Sequence, residues 1–260
     1  MTDAVTKYPI TITGAGPGDP ELITVKGKRS LEEADMVIFA GSLVPEELLV
    51  WTKEGCECLS SAPMDLDAMV EKMAEGHHAG KKVVRLHTGD PSLYGAIDEQ
   101  MQELDKLGVP CQVIPGVTAA FGAAAAMKME YTLPEITQTL ILTRAEGRTP
   151  VPEGEDLSSL ASHGASMAIY LSSGLAEKVS RELAAHYGEE APVAIAYRVS
   201  QPDERIIHTR LKDLAVTMKE EGIRKTALII VSKVLAKPEA PKSKLYDASF
   251  THEYRDGVAK

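Results

Sequence analysis

From residue 10 onward, short apolar runs alternate with longer stretches in which apolar positions recur at helical intervals. Residues 22–34, 67–79 and 98–107 have helical spacing, and a glycine-rich turn precedes the first of them. The β-rich runs around these helices lie at residues 10–13, 36–39, 82–86 and 109–114. A strand, a turn, a helix and a second strand in this order form a βαβ unit, so the first half predicts a mostly parallel sheet.

The second half has similar elements but longer loops. Residues 118–127, 175–187 and 211–219 have helical spacing. Further strands are expected at residues 137–142, 166–171, 192–199, 205–209 and 226–231. The run at 205–209 follows a turn of the Gln-Pro-Asp type, which favours an antiparallel strand and therefore a mixed sheet.

These patterns predict the α/β fold class with two α/β domains. We expect an N-terminal domain over residues 1–115 with a mostly parallel sheet, and a C-terminal domain over residues 116–237 with a mixed sheet. The remaining residues 238–260 include two prolines and are expected to form a C-terminal arm.

The composition limits the partners that the chain can take. Its formal charge is −10 and it has no segment dense in Lys or Arg, which argues against sequence-independent binding of nucleic acid. No stretch approaches the ~20 apolar residues of a membrane span, and the N-terminus lacks the order of a signal peptide. Cys56 and Cys58 have no second pair that would complete a zinc site. We therefore expect a cytoplasmic protein with reduced thiols, without a protein-bound metal and without nucleic-acid or membrane partners.

Three glycine-bearing loops follow strands of the predicted parallel sheet. They are Gly14-Ala15-Gly16-Pro17-Gly18, Thr88-Gly89-Asp90-Pro91-Ser92-Leu93-Tyr94-Gly95 and Pro115-Gly116-Val117-Thr118-Ala119. Ligands of open parallel sheets bind at the carboxyl ends of the strands, where these loops stand. Together they predict a crevice for a small molecule.

Each loop also has a simpler interpretation. The first has the spacing G-x-G-x-G, and Pro17 removes a backbone N–H where a dinucleotide phosphate would need a donor. It is therefore either a bare tight turn or a place where backbone approaches a ligand without a pyrophosphate. Asp90 either binds a hydroxyl or ammonium group or caps the next helix. His87 is a weaker binding candidate beside the same crevice, and no hydrolase triad is visible.

Taken in this order, the three loops resemble those of the tetrapyrrole (uroporphyrinogen/precorrin) methyltransferase family. The match extends the first loop to Thr24 and covers about residues 8–235. The resemblance implies two α/β domains with S-adenosylmethionine held, largely by backbone, in a cleft between them, and a homodimer. The residues that it assigns to the donor are Pro17, Gly89, Asp90, Leu93, Thr118 and Ala119 and, further along the chain, Tyr170, Leu171, Ala196, Tyr197, Thr226, Ala227 and Leu228.

Four further segments resemble one branch of that family, whose members methylate carbon 11 of precorrin-4 or its cobalt form in corrin (vitamin B12) synthesis. These segments are residues 40–45, 140–150, 197–204 and 250–255. The substrate is a macrocycle with several carboxylates, and the side chains expected to bind it are Ser42, Arg144, Arg148 and Arg198. Ser42 stands where several relatives have Asp, so a possible acid/base group is absent.

Two other functions stay open at this stage. One is methylation of another ring carbon, such as carbons 2 and 7 of uroporphyrinogen III in porphyrin synthesis. The other is binding of the donor without catalysis, because no strongly acidic or basic catalytic pair is visible. The nucleophile of such a reaction is an electron-rich ring carbon, so the sequence assigns no catalytic side chain. It also leaves open whether the substrate carries cobalt.

Overall fold

The structure is a computed structural model that describes residues 8–41, 43–240 and 243–258. The chain divides into two compact units. The first unit runs to Gly122 and also takes Arg198–Glu204, while the second takes Ala123–Tyr197 and the chain from Arg205 onward. No helix among the described residues is long and apolar enough to cross a membrane.

The first unit is built on a sheet in which all five strands are parallel. Its strands are β1 (Ile10–Gly14), β2 (Met36–Phe39), β3 (Glu57–Ser60), β4 (Val83–His87) and β5 (Cys111–Ile114), in the order β3-β2-β4-β1-β5. Its helices are α1 (Val25–Glu33), α2 (Leu66–His78), α3 (Ile97–Lys106) and the start of α4 (Ala119–Met127). The predicted parallel sheet is confirmed.

Both faces of this sheet are covered, as a parallel sheet requires. On one face, Ile12 and Ile38 pack with Met73 of α2 and Leu104 of α3. The opposite face carries a second apolar cluster around Leu31 of α1. Because both faces are buried at the central strands β2, β4 and β1, a ligand is expected at the ends of these strands.

The second unit has a mixed five-stranded sheet. Its strands are β6 (Leu140–Arg144), β7 (Ser166–Tyr170), β8 (Pro192–Tyr197), β9 (Arg205–Arg210) and β10 (Ala227–Val231), in the order β6-β7-β10-β8-β9. Only β6 and β7 pair in parallel. The helices α5 (Leu157–Ala161), α6 (Ala176–Tyr187) and α7 (Leu214–Glu220) accompany it, and Val179 and Leu183 of α6 enter its core. The predicted mixed sheet and its antiparallel strand β9 are confirmed.

Several predicted elements differ from those observed. The edge strand β3 and the short helix α5 were not predicted, because neither carries a continuous apolar run. The helix expected from residue 22 begins at Val25, since Pro20–Leu22 forms a separate 3₁₀ turn. The strand expected at 192–199 ends at Tyr197, because Arg198 adopts a left-handed φ of 47°.

The domain limits expected from the sequence stay a prediction. They do not coincide with the limits of the two compact units. The boundary expected at 115/116 lies before α4, whereas the units divide within α4, after Gly122. Arg198–Glu204 joins the first unit although it lies far along the chain, and residues from 238 group with the second unit. A local pattern of residues cannot reveal such a return of the chain.

Candidate functional site

The three glycine loops of the first unit meet at the carboxyl edge of its sheet. Gly16 N–H donates to the Gly89 carbonyl at 3.2 Å, and Gly89 N–H donates to the Gly16 carbonyl at 2.8 Å. A Cβ atom on Gly116 would lie 2.0 Å from the Gly89 oxygen, and one on Gly14 would lie 2.4 Å from the same atom. No side chain fits at these positions, because the three backbones form one closely packed cluster. The loop pattern predicts such a cluster.

Asp90 ties two of these loops together. Its Oδ2 accepts the Gly116 N–H at 2.8 Å, and its Oδ1 accepts the Ser92 N–H at 2.8 Å. It does not cap the following helix, because α3 begins at Ile97 with Ala96 as its N-cap residue. Each carboxylate oxygen therefore accepts one backbone N–H. The expected bond from Asp90 to a ligand hydroxyl or ammonium stays a prediction.

The other residues assigned to the donor in the first unit differ in exposure. Pro17 is buried, and its ring lies against the start of α4, where a Cβ atom on Gly122 would be 3.1 Å from Pro17 Cγ. Thr118 is also buried. Gly89, Leu93 and Ala119 are half-buried, so part of each residue is accessible to solvent.

In the second unit, the assigned residues lie at one edge of the sheet. Strand β10 is antiparallel to β7 and β8, so its amino end lies beside their carboxyl ends. Ala227 pairs with Tyr197, and Leu228 pairs with Ala196. The residues that this edge brings together are Tyr170, Leu171, Ala196, Tyr197, Thr226, Ala227 and Leu228. Ala196 and Leu228 have buried side chains, so they can offer only backbone groups.

This edge carries strained backbone. Leu171 directly after β7 has a φ of 53°, and Thr226 directly before β10 has a φ of 57°. Branched side chains rarely adopt this left-handed region, and such residues cluster at functional sites. Leu171 is also 67% exposed, which is unusual for a large apolar side chain. The edge is therefore shaped at a cost in conformational energy and presents an apolar surface.

Two serines that the sequence did not single out support this edge. The Ser172 hydroxyl donates to the Tyr170 carbonyl at 2.6 Å and accepts the Ala145 N–H at 2.8 Å. The Ser173 hydroxyl donates to the Ala227 carbonyl at 3.1 Å. A Ser-Ser-Gly sequence after a strand is the signal that could have indicated them, because short hydroxyl side chains bond to nearby backbone.

The side chains expected to bind the substrate are in different situations. Ser42 lies outside the described residues. Arg144 donates to the carbonyls of Thr149 and Pro150 and so braces its own loop. Arg198 is paired with Asp203 at 2.9 Å. Arg148 is exposed.

A buried polar cluster under the second glycine loop was not predicted. Arg85 and His87 of β4 are each 5% exposed. Burial lowers the pKa of His87 to about 3, with a further contribution from the charge of Arg85. Burial also lowers the pKa of Arg85 to about 10. At neutral pH the cluster therefore holds a neutral imidazole next to a charged guanidinium.

No group of three or more His, Cys, Asp or Glu side chains within residues 8–41, 43–240 and 243–258 is arranged to bind a metal ion. Within the first unit, the edge of the sheet offers closely packed backbone. Within the second unit, the edge of the sheet offers backbone and the exposed apolar side chain of Leu171.

Comparison with known proteins gives consistent results. The family model of tetrapyrrole (corrin/porphyrin) methylases matches residues 9–215. The cobalt-precorrin-4 C(11)-methyltransferase of Methanocaldococcus jannaschii is 54% identical over 96% of this chain and 97% of its own length. A solved cobalt-precorrin-4 methyltransferase, described as a cobalamin biosynthetic enzyme, has 50% identity and a TM-score of 0.84 over 87% of this chain and 95% of that one.

A more distant solved structure shows a ligand. It is uroporphyrin-III C-methyltransferase from Thermus thermophilus in complex with S-adenosylhomocysteine. It has 27% identity and a TM-score of 0.69 over 88% of this chain and 93% of that one. The family model spans well over half of the sequence, and the fold agrees with that of the solved cobalt-precorrin-4 methyltransferase. The chain belongs to the tetrapyrrole (corrin/porphyrin) methylase family.

Proposed function

We propose that this protein transfers the methyl group of S-adenosylmethionine to carbon 11 of precorrin-4 or cobalt-precorrin-4 in corrin synthesis. The observation that carries this proposal is the 54% identity to a protein of that name over nearly the full length of both chains. The complex of a family member with S-adenosylhomocysteine supports the choice of donor.

The chemistry of the donor fits the glycine loops. A sulfonium donor has no phosphate, so the missing N–H of Pro17 costs nothing. The closely packed Gly14, Gly89 and Gly116 offer backbone rather than charge. We propose that Gly89, Leu93 and Ala119 contact the donor directly, and that Pro17, Asp90 and Thr118 shape the loops behind them.

The second unit is proposed to contribute the sheet edge described above. Leu171 would supply apolar contact, and Ala196, Tyr197, Thr226, Ala227 and Leu228 would contribute mostly backbone next to Tyr170. Alignment of two bound reactants can lower a barrier by ~7–11 kcal/mol at best. We propose that this alignment is the main source of catalysis, because the electron-rich ring carbon needs no side-chain nucleophile.

A macrocycle with several carboxylates requires cationic partners. Arg148 is the exposed arginine of its loop and is proposed to pair with one of them. Arg144 and Arg198 would have to exchange their present partners to do so. The homodimer, the cytoplasmic location and the absence of nucleic-acid and membrane partners stay predictions of the sequence.

The test is methyl transfer by the purified protein from methyl-labelled S-adenosylmethionine. Precorrin-4 and cobalt-precorrin-4 are offered in separate reactions, and uroporphyrinogen III is the comparison substrate. We expect one added methyl group, placed on carbon 11 by NMR, and the preferred reaction tells whether cobalt is required. Labelling of uroporphyrinogen III alone would replace this proposal with the sibling activity.

A second measurement separates catalysis from binding. Calorimetric titration with S-adenosylhomocysteine is expected to show binding, and titration with NAD is expected to show none. Binding of S-adenosylhomocysteine without transfer to any tetrapyrrole would favour a donor-binding protein that is not an enzyme. Absence of binding would contradict the assignment of all three loops.

A further inference from the structure

The buried cluster under the second glycine loop centres on a cation. The Arg85 Nε donates to Gln100 Oε1 at 3.3 Å, and its Nη1 donates to the Ile38 carbonyl on β2 at 3.2 Å. Within the described part of the chain, Arg85 forms no ion pair with a carboxylate. A charge that is buried without a counter-charge is expensive. An aliphatic side chain at this position of the strand would avoid the cost of burying a charge. We therefore take the hydrogen bonds that the guanidinium donates as the reason for its presence.

Gln100 passes this geometry on to the loop. It is 3% exposed and lies on α3. While its Oε1 accepts from Arg85, its Nε2 donates to the Ala96 carbonyl at 3.0 Å and, more weakly, to the Gly95 carbonyl at 3.5 Å. Both ends of the amide are therefore used, and they link β4 to the end of the loop.

The loop end that Gln100 holds is strained. Tyr94 has a φ of 58° and Ala96 a φ of 50°, although neither is glycine. The turn between them is so tight that a Cβ atom on Gly95 would lie 2.1 Å from the Pro91 carbonyl oxygen. Strained backbone of this kind persists only where the surrounding structure fixes it.

We infer that Arg85 and Gln100 are positioning residues, which hold the loop of residues 88–96 in its strained form and so set the place where that loop meets the methyl donor. Arg85 anchors the amide of Gln100 to the sheet, and Gln100 fixes the carbonyls at the end of the loop. The same loop carries Gly89 and Leu93, which the proposed function assigns to the donor. The effect on binding rests on that proposed function, whereas the effect on the loop does not.

The substitution Gln100→Glu separates the two bonds. The carboxylate still accepts from Arg85 and gains a charge interaction with it. It can no longer donate to the Ala96 carbonyl and instead brings an oxygen against it. The fold should therefore hold while the end of the loop is released. Gln138→Glu is the matched control, because it makes the same change at an exposed position outside this loop, where the amide also donates to a backbone carbonyl, that of Thr137 at 3.3 Å.

For Gln100→Glu we expect faster amide hydrogen exchange over residues 93–97 at an unchanged melting temperature. We also expect about tenfold weaker binding of S-adenosylhomocysteine, with a raised KM for S-adenosylmethionine and an unchanged KM for the tetrapyrrole. Gln138→Glu should match the wild type in each measurement. Arg85→Lys keeps the charge but loses the planar set of donors, so it should reproduce the effect of Gln100→Glu.

Wild-type exchange over residues 93–97 in a folded Gln100→Glu variant would overturn the inference. Unfolding of both Gln100→Glu and Arg85→Lys would also overturn it, because the cluster would then contribute to the stability of the whole unit and not to the loop in particular. The exchange measurement needs no ligand. If the wild type fails to bind S-adenosylhomocysteine, the proposed function fails, and the claim about the loop is still decided by exchange.

Discussion

The stability of the first unit should fall as the pH is lowered from 7.5 to 5.0 because of His87. Burial holds its pKa at about 3 in the folded protein, against an ordinary value near 6.5 when the chain is unfolded. Between these values the unfolded chain binds more protons than the folded one. The contribution is therefore fully present above pH 6.5 and is lost as the pH falls towards 3.

The size of the effect follows from the same two values. From pH 7.5 to 5.0, protonation of the unfolded chain at one group of pKa 6.5 lowers the free energy of unfolding by about 2 kcal/mol. His87→Gln removes this dependence, because a glutamine stays neutral at every pH in the range. The variant should thus lose about 2 kcal/mol less than the wild type over this interval, whatever its stability at pH 7.5.

Urea unfolding followed by the fluorescence of Trp51 can measure this difference. Trp51 is the single tryptophan of the chain and lies in the first unit, where its indole N–H donates to the Pro20 carbonyl at 3.1 Å. His78 is an exposed histidine of the same unit, so His78→Gln is the control and should follow the wild type. Parallel curves for wild type and His87→Gln would refute the reasoning, since they would mean that His87 is not held neutral by burial.

Three further outcomes follow from the geometry of the site. Gly116→Ala places a Cβ atom 2.0 Å from the Gly89 oxygen, so calorimetry should show a loss of S-adenosylhomocysteine binding, whereas Gly174→Ala, with no atom within 4 Å of its Cβ, should bind normally. Asp90→Asn turns an N–H towards one of the two backbone N–H groups whose hydrogen bonds the carboxylate accepts, so urea unfolding should show a loss of about 1–3 kcal/mol in the free energy of unfolding. An unchanged unfolding curve would contradict the role of Asp90 in holding the two loops together. Leu171→Gly relieves the left-handed strain and should keep thermal stability within about 1 kcal/mol while weakening S-adenosylhomocysteine binding; wild-type affinity would remove Leu171 from the donor site.

The parts of the fold that could be predicted are those that depend on patterns of neighbouring residues. Apolar runs and glycine turns identified both sheets and the edge where the three loops meet, because strand, turn and helix signals lie within about a dozen residues of each other. The strand β3 was missed, since half of its short length is polar and an edge strand needs no continuous apolar run.

The roles of individual site residues depend on partners far away in the sequence. Asp90 is recognisable as a loop residue, but its bond to Gly116 crosses 26 positions. Arg85 looks like an ordinary interruption of a strand until Gln100 is placed against it by α3, 15 positions later. Such pairs become visible only when helices have been packed on the sheet.

The route of the chain also fixes the order in which the first unit can be finished during synthesis. Its last segment, Arg198–Glu204, leaves the ribosome only after the whole of Ala123–Tyr197. Until then the Asp19 N–H lacks the Ser200 hydroxyl that accepts it at 2.9 Å, and the start of α4 lacks Val199 beside Gly122. At about 5–20 residues per second, the nascent first unit waits several seconds for its final piece. A ribosome that stalls in this interval therefore holds a chain in which neither unit is complete, and such a chain is open to misfolding and proteolysis.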